Sequence, residues 1–234
     1  PPLATMLAAD RPDFVLHERE GRSSALIAGR GYPNKVWSFK ENIAAGLTRD
    51  AAVRALGTSA AEVPFAVGVL HTGLNLDPVK APTDPRELLR AGFDYWALGH
   101  IHRRTVNHER CPRVVFSGCI QGRDIRETGP RGVYEVTLSE DRPPRLHFIP
   151  TASVVWERLE IDTSLCSNIP DLVAAIMREQ FAVNGTVSCE YMVSRITLTG
   201  ATPLHDVLAR PGVLEEVRET VNDSYAEFYC DALV

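Results

Sequence analysis

Two apolar runs that each end in histidine, with a helix start between them, constrain this chain more than any other feature. Phe65-Ala66-Val67-Gly68-Val69-Leu70 leads into His71, and Tyr95-Trp96-Ala97-Leu98 leads into Gly99-His100-Ile101-His102. Short, unbroken apolar runs of this kind read as buried strands. Between them, Asp84-Pro85-Arg86-Glu87 places a capping acid, a proline at the first helical position and a glutamate at the third. Leu88, Leu89 and Ala91 then supply an apolar side until Gly92 stops the helix. Strand, helix, strand implies a parallel pair joined by a crossover, so both strand ends fall on one edge of a sheet. Open α/β sheets build their sites at that edge. His71, His100 and His102 gathered there suit a borderline divalent metal such as Mn, Fe, Zn or Co. The i, i+2 spacing works in an extended loop, where one histidine binds one ion and its neighbour binds or shares a second.

The remaining pattern predicts a layered α/β protein. Strands are expected at 14–16 and 25–29 around a turn at 20–22, and a helix over 39–47. Strands at 113–116, 132–138 and 145–149 read as one meander, with 141–144 as its last turn. Beyond a boundary near 150–166, the pattern continues as a strand at 156–162, a helix at 171–183 and a strand at 191–199. A helix carrying Val213, Leu214, Val217 and Val221 and a strand at 225–230 close it. The expected domains are therefore 1–155 and a small α/β unit, 156–234.

Composition narrows the class. The chain is 44% apolar and 24% charged, enough to bury a core. No apolar run is long enough for a membrane span, so no membrane partner is expected. Five cysteines (Cys111, Cys119, Cys166, Cys189, Cys230) without a CxxC pair argue against a disulfide framework or zinc ribbon and for a reducing, cytoplasmic setting. The net charge of −5 is unevenly spread: 103–145 holds nine Arg against six acids, and 156–234 five Arg against thirteen. The basic surplus lies beside the double histidine. Arg103 and Arg104, with Arg123 and Arg126 from the Gly-rich loop 117–132, are the expected phosphate contacts. Cys119, in the same loop, has no recognisable His/Asp partner arrangement and reads as an incidental thiol.

The blocks FAVGVLHTGL (65–74), LLRAGFDYWALGHIHRR (88–104), VVFSGCIQGRDIRETGPRGVYEVTL (114–138) and VVWERLEID (154–162) resemble the SbcD-type DNA-repair exonucleases of the calcineurin-like metallophosphoesterase superfamily. The resemblance runs from about residue 13 to 162. It implies the C-terminal part of a four-layer αββα sandwich followed by a small DNA-binding cap. It also implies two divalent ions, manganese by preference, with His71, His100 and His102 in three ligand positions. DNA, an SMC-like ATPase subunit and a second copy of the chain are the implied partners. The family's Asp-x-His, Gly-Asp-x-x-Asp and Gly-Asn-His motifs, the last with its acid histidine, do not occur in these 234 residues. The expectation is a fragment inactive alone and a nuclease as the complete protein. The alternative is a non-catalytic DNA- or ATPase-binding module with a degenerate metal site; a small-substrate phosphoesterase fits less well, since it needs no cap.

Overall fold

Strands β1 (Asp13–Arg19) and β2 (Arg22–Gly29) pair antiparallel around Glu20 and Gly21, both at positive φ (54° and 74°). That backbone twist matches the twist of the flanking strands. The computed structural model describes residues 4–187 and 189–234. Four strands extend the hairpin into a six-stranded sheet of order β1-β2-β3-β4-β6-β5. They are β3 (Phe65–His71), β4 (Tyr95–Gly99), β5 (Thr105–Val106) and β6 (Val114–Phe116). β2, β3, β4 and β6 run parallel, with β1 and β5 antiparallel at the edges.

Helix α1 (Arg49–Leu56) is capped by the Thr48 hydroxyl, which accepts from Ala51 N at 3.1 Å, and closed by Gly57 at φ 64°. Helix α2 (Pro85–Arg90) starts as the sequence predicts: Asp84 Oδ1 accepts from Arg86 N at 2.7 Å. The core beneath holds Leu26, Leu70, Leu88, Phe93, Trp96 and Phe116. Trp96 donates its indole N–H to Leu88 O at 2.9 Å. It lies so close over β3 that a Cβ on Gly68 would meet its ring at 2.1 Å.

Three expectations need correction. Residues 39–47 form turns, not a helix: Ala45 N bonds to Asn42 O and Leu47 N to Ala44 O. The Asn42 side chain takes Ala44 N, and Gly46 sits at φ 79°, both of which compete with helical propagation. Ile43 and Leu47 are nonetheless fully buried, which is why their spacing mimics a helix. Second, 113–116 does not belong to a meander. All three residues of β6 are buried, and such a strand needs cover on both faces, which it finds beside β4. Only β7 (Gly132–Ser139) and β8 (Arg142–Pro150) form a separate hairpin. Third, its turn is 140–141, and Pro143 and Pro144 lie within β8. A two-stranded sheet has only edge strands, where a missing N–H is tolerated.

The chain divides into two compact units, 1–119 with 134–148 and 120–133 with 149–234. The second unit carries a three-stranded parallel sheet, β11-β10-β9. These strands are β9 (Val154–Asp162), β10 (Tyr191–Thr199) and β11 (Phe228–Leu233). Helix α3 (Ile169–Asn184) connects β9 to β10, while α4 (His205–Leu208) and α5 (Val213–Asn222) connect β10 to β11. Its core gathers Leu159, Leu172, Ile176, Ile196, Val217 and Cys230. A mixed α/β molecule with several sheets is the class the sequence predicts. Among the described residues no helix is long and apolar enough to cross a membrane.

Candidate metal centre

The parallel register sets His71 opposite Gly99 and Leu98 opposite Phe116. The last residue of β3, the residues after β4 and the turn after β6 therefore share one sheet edge. His71 and His100 meet there, ring centroids 5.2 Å apart and planes at 75°. Gly99 makes the approach possible, since a Cβ at that position would come within 3.2 Å of His71 Nδ1. Tyr32 steadies His71 from the other side: its hydroxyl donates to His71 O at 2.6 Å and its ring stands edge-on, centroids 5.9 Å apart. Burial pushes the Tyr32 pKa up, which keeps that hydroxyl a donor.

His100 has φ 111°, a backbone region that residues with a Cβ seldom occupy. Such strain costs on the order of 1–3 kcal/mol and persists where surrounding structure over-determines it. Here the loop after β3 does so. The hydroxyl of buried Thr72 donates to Ala81 O at 2.6 Å and accepts from Leu74 N at 2.9 Å. Gly73 N bonds to Lys80 O at 2.6 Å, and a Cβ on Gly73 would strike Asp77 O at 2.0 Å. The closed loop holds Asp77 Oδ2 3.0 Å from His100 Nε2. An ionised carboxylate only accepts hydrogen bonds, so His100 meets Asp77 as the donor, through Nε2.

His71 is held below the ordinary histidine range by partial burial first, then by the proximity of His100 and His102. A neutral imidazole is the form that binds metal. His102 is exposed, and its carbonyl accepts from Cys119 N at 3.1 Å. Gly118, at φ 83°, lets this turn pass: a Cβ there would reach His102 O at 2.6 Å. The three histidines do not bring one nitrogen each within 4.8 Å of one another. A single three-histidine cage is therefore not what the edge provides.

Sequence reasoning missed Asp77 and Tyr32. Neither stands in a motif, and only the folded loop and the neighbouring β2 end reveal them. The arginines are placed differently. Arg103 is exposed, and the Arg104 guanidinium lies 3.7 Å over the Phe148 ring. Arg123 and Arg126 are exposed in the second unit, where Arg123 bonds Glu127 at 3.4 Å and Arg126 bonds Asp124 at 2.7 Å. Arg126 holds the Asp124 carboxyl well below the usual carboxylate range. The loop itself is tied to β9, with Gln121 Nε2 donating to Val154 O and Gly129 N to Trp156 O.

Residues 156–234 match the family model of the middle domain of the metallophosphoesterase YhaO. Over 214 residues the chain is also 30% identical to the uncharacterized metallophosphoesterase YhaO of Bacillus subtilis (strain 168). Over these residues the chain is similar to metallophosphoesterases. The alignment takes in 89% of this chain and 48% of the relative, so the chain spans about half the length of the protein it matches. Both names specify phosphoester chemistry and no substrate. Imidazole is a donor that suits several divalent metals.

Proposed function

We propose that His71, His100 and His102 belong to a divalent-metal centre that hydrolyses phosphoesters, and that the complete protein is a nuclease acting on DNA. One observation carries the reading: His71 and His100 converge from neighbouring parallel strand ends, with Asp77 fixing the second ring. The donor set fits the group. His71 is held below the ordinary histidine range, Asp77 takes Nε2 of His100 and so leaves Nδ1 as that ring's nitrogen for an ion, and Gly99 leaves the rings room. Two bound ions, manganese in this reading, would activate a water and clamp the reacting phosphate. The chain's own residues orient the His100 ring through Asp77 and, through Tyr32 and Thr72, fix the backbone that presents the imidazoles.

The finer reading rests on the SbcD-like blocks at 88–104 and 114–138. DNA as substrate and an SMC-like ATPase and a second copy as partners are what that resemblance implies; a cytoplasmic setting rests on the five cysteines without a CxxC pair. Arg103 and Arg104, immediately after the double histidine, are the arginines best placed to meet a phosphate backbone near these rings. Arg123 and Arg126 would first have to exchange Glu127 and Asp124 for it.

The test uses the complete protein with Mn²⁺ and a duplex DNA substrate. His100→Ala should abolish cleavage while circular dichroism stays unchanged. Asp77→Asn should reduce it by about 10- to 100-fold, the usual effect of losing a partner behind a ligating histidine. Retained Mn²⁺-dependent cleavage in His100→Ala overturns the ligand assignment. Hydrolysis of simple phosphodiesters without cleavage of DNA overturns the nuclease reading alone.

A further inference from the structure

The lysines of this chain are few and unevenly used. There are three, against 22 arginines. Lys35 and Lys80 both line a pocket of about 230 Å³ whose other walls include Tyr32, Trp37, His71 and His100. Lys40, the third, is not among its lining residues. Among the described residues, neither pocket ammonium has a carboxylate within ion-pair distance, whereas many of the arginines do. Two exposed ammonium groups without an ion-pair partner, beside His71 and His100, give the recess a positive rim that favours anions.

The recess is pre-formed. Trp37 is buried, its indole N–H donates to Glu41 O at 2.8 Å, and the Arg30 guanidinium covers its ring at 4.6 Å. Tyr32 is pinned to His71 O. Lys80 comes from the closed loop that also sets Asp77 against His100, so one loop delivers both the metal-orienting carboxylate and a pocket cation. Lysine acts on phosphate as a compact point charge. Its reach along a flexible stem suits a phosphate next to the reacting one rather than the reacting one itself.

We propose that Lys35 and Lys80 form a second phosphate subsite, which binds the phosphate adjacent to the one presented to His71 and His100. The substrate class it selects is a phosphodiester carrying a neighbouring phosphate, that is, a nucleotide chain end rather than an isolated phosphoester. This inference rests on the metal-centre reading only for the identity of the reacting phosphate; occupation of the subsite is measurable without turnover.

The probe is 5′-phosphorylated dithymidylate (pTpT), compared with thymidine 5′-monophosphate. Binding to the chain is followed by Trp37 emission in EDTA, where nothing turns over, with Trp37→Phe identifying the signal. The expected result is tighter binding of pTpT than of the monophosphate. The Lys35→Gln/Lys80→Gln double variant should lose at least about tenfold of the pTpT affinity. Its log–log salt slope should fall by about 0.7 per lost contact. Lys40→Gln should bind pTpT like the parent. Unchanged pTpT affinity and salt slope in the double variant overturn the subsite, as does an equal loss in Lys40→Gln, which would make the effect one of net charge. Absence of Mn²⁺-stimulated phosphoester hydrolysis by the complete parent protein would instead defeat the metal-centre reading and leave these affinities standing as measured.

Discussion

Glu157 shows how a single half-buried side chain sets a pH dependence. It lies on β9, and burial raises its pKa, with Arg131 pulling only partly the other way. A carboxyl whose folded pKa exceeds its unfolded value binds more protons when folded. Stability is then favoured at low pH and falls as pH rises from the ordinary glutamate range through the raised folded value. Glu157→Gln removes the charge and keeps the shape. It should raise Tm at pH 7.5 relative to the parent and narrow the difference between pH 5 and pH 7.5, measured by thermal unfolding at both. A variant that lowers Tm at pH 7.5 would show that the Arg131 attraction outweighs burial.

Gly68 illustrates control at the scale of an element. The ring of Trp96 on β4 occupies the place where a side chain of β3 would be, and β3 carries His71 at its end. Gly68→Ala forces the indole or the strand to move, at about 1–3 kcal/mol, the range for an overpacked core. Urea unfolding should show that loss; parent-like stability would contradict the packing described here. Strands β3, β4 and β10 were legible in the sequence because their apolar runs are bounded by clear turn residues. The α2 start was legible because Asp84 and Pro85 are capping chemistry in its plainest form. Residues 39–47 misled because Ile43 and Leu47 keep helical spacing while Asn42 and Gly46 break the backbone. The partner of β6 was not legible, since three buried residues say nothing about which sheet accepts them. Of the site, the three histidines could be read from their positions after strands. Asp77, Tyr32 and Lys80 could not, because a loop closed by Thr72 and the neighbouring end of β2 bring them in.

At the scale of the molecule, each unit has its own apolar core, one under the six-stranded sheet and one around the parallel three-stranded sheet. His71, His100 and His102 all belong to the first. In the second, Arg195 is bound to Asp231 and Arg218 to Glu215, so two of the five arginines in 156–234 are already engaged in an acidic segment. Interaction with a phosphate backbone is therefore better sought on the unit that carries Lys35, Lys80, Arg103 and Arg104. The central claim is that the ends of β3 and β4 bind a divalent cation, and Mn²⁺ titration of the chain, read on the histidine imidazole resonances by NMR, tests it most directly. His71, His100 and His102 should broaden at substoichiometric Mn²⁺, ahead of His17, His108, His147 and His205, and His100→Ala should remove the effect at His71. Broadening that spares His71 and His100, or that spreads evenly over all seven histidines, would contradict the account.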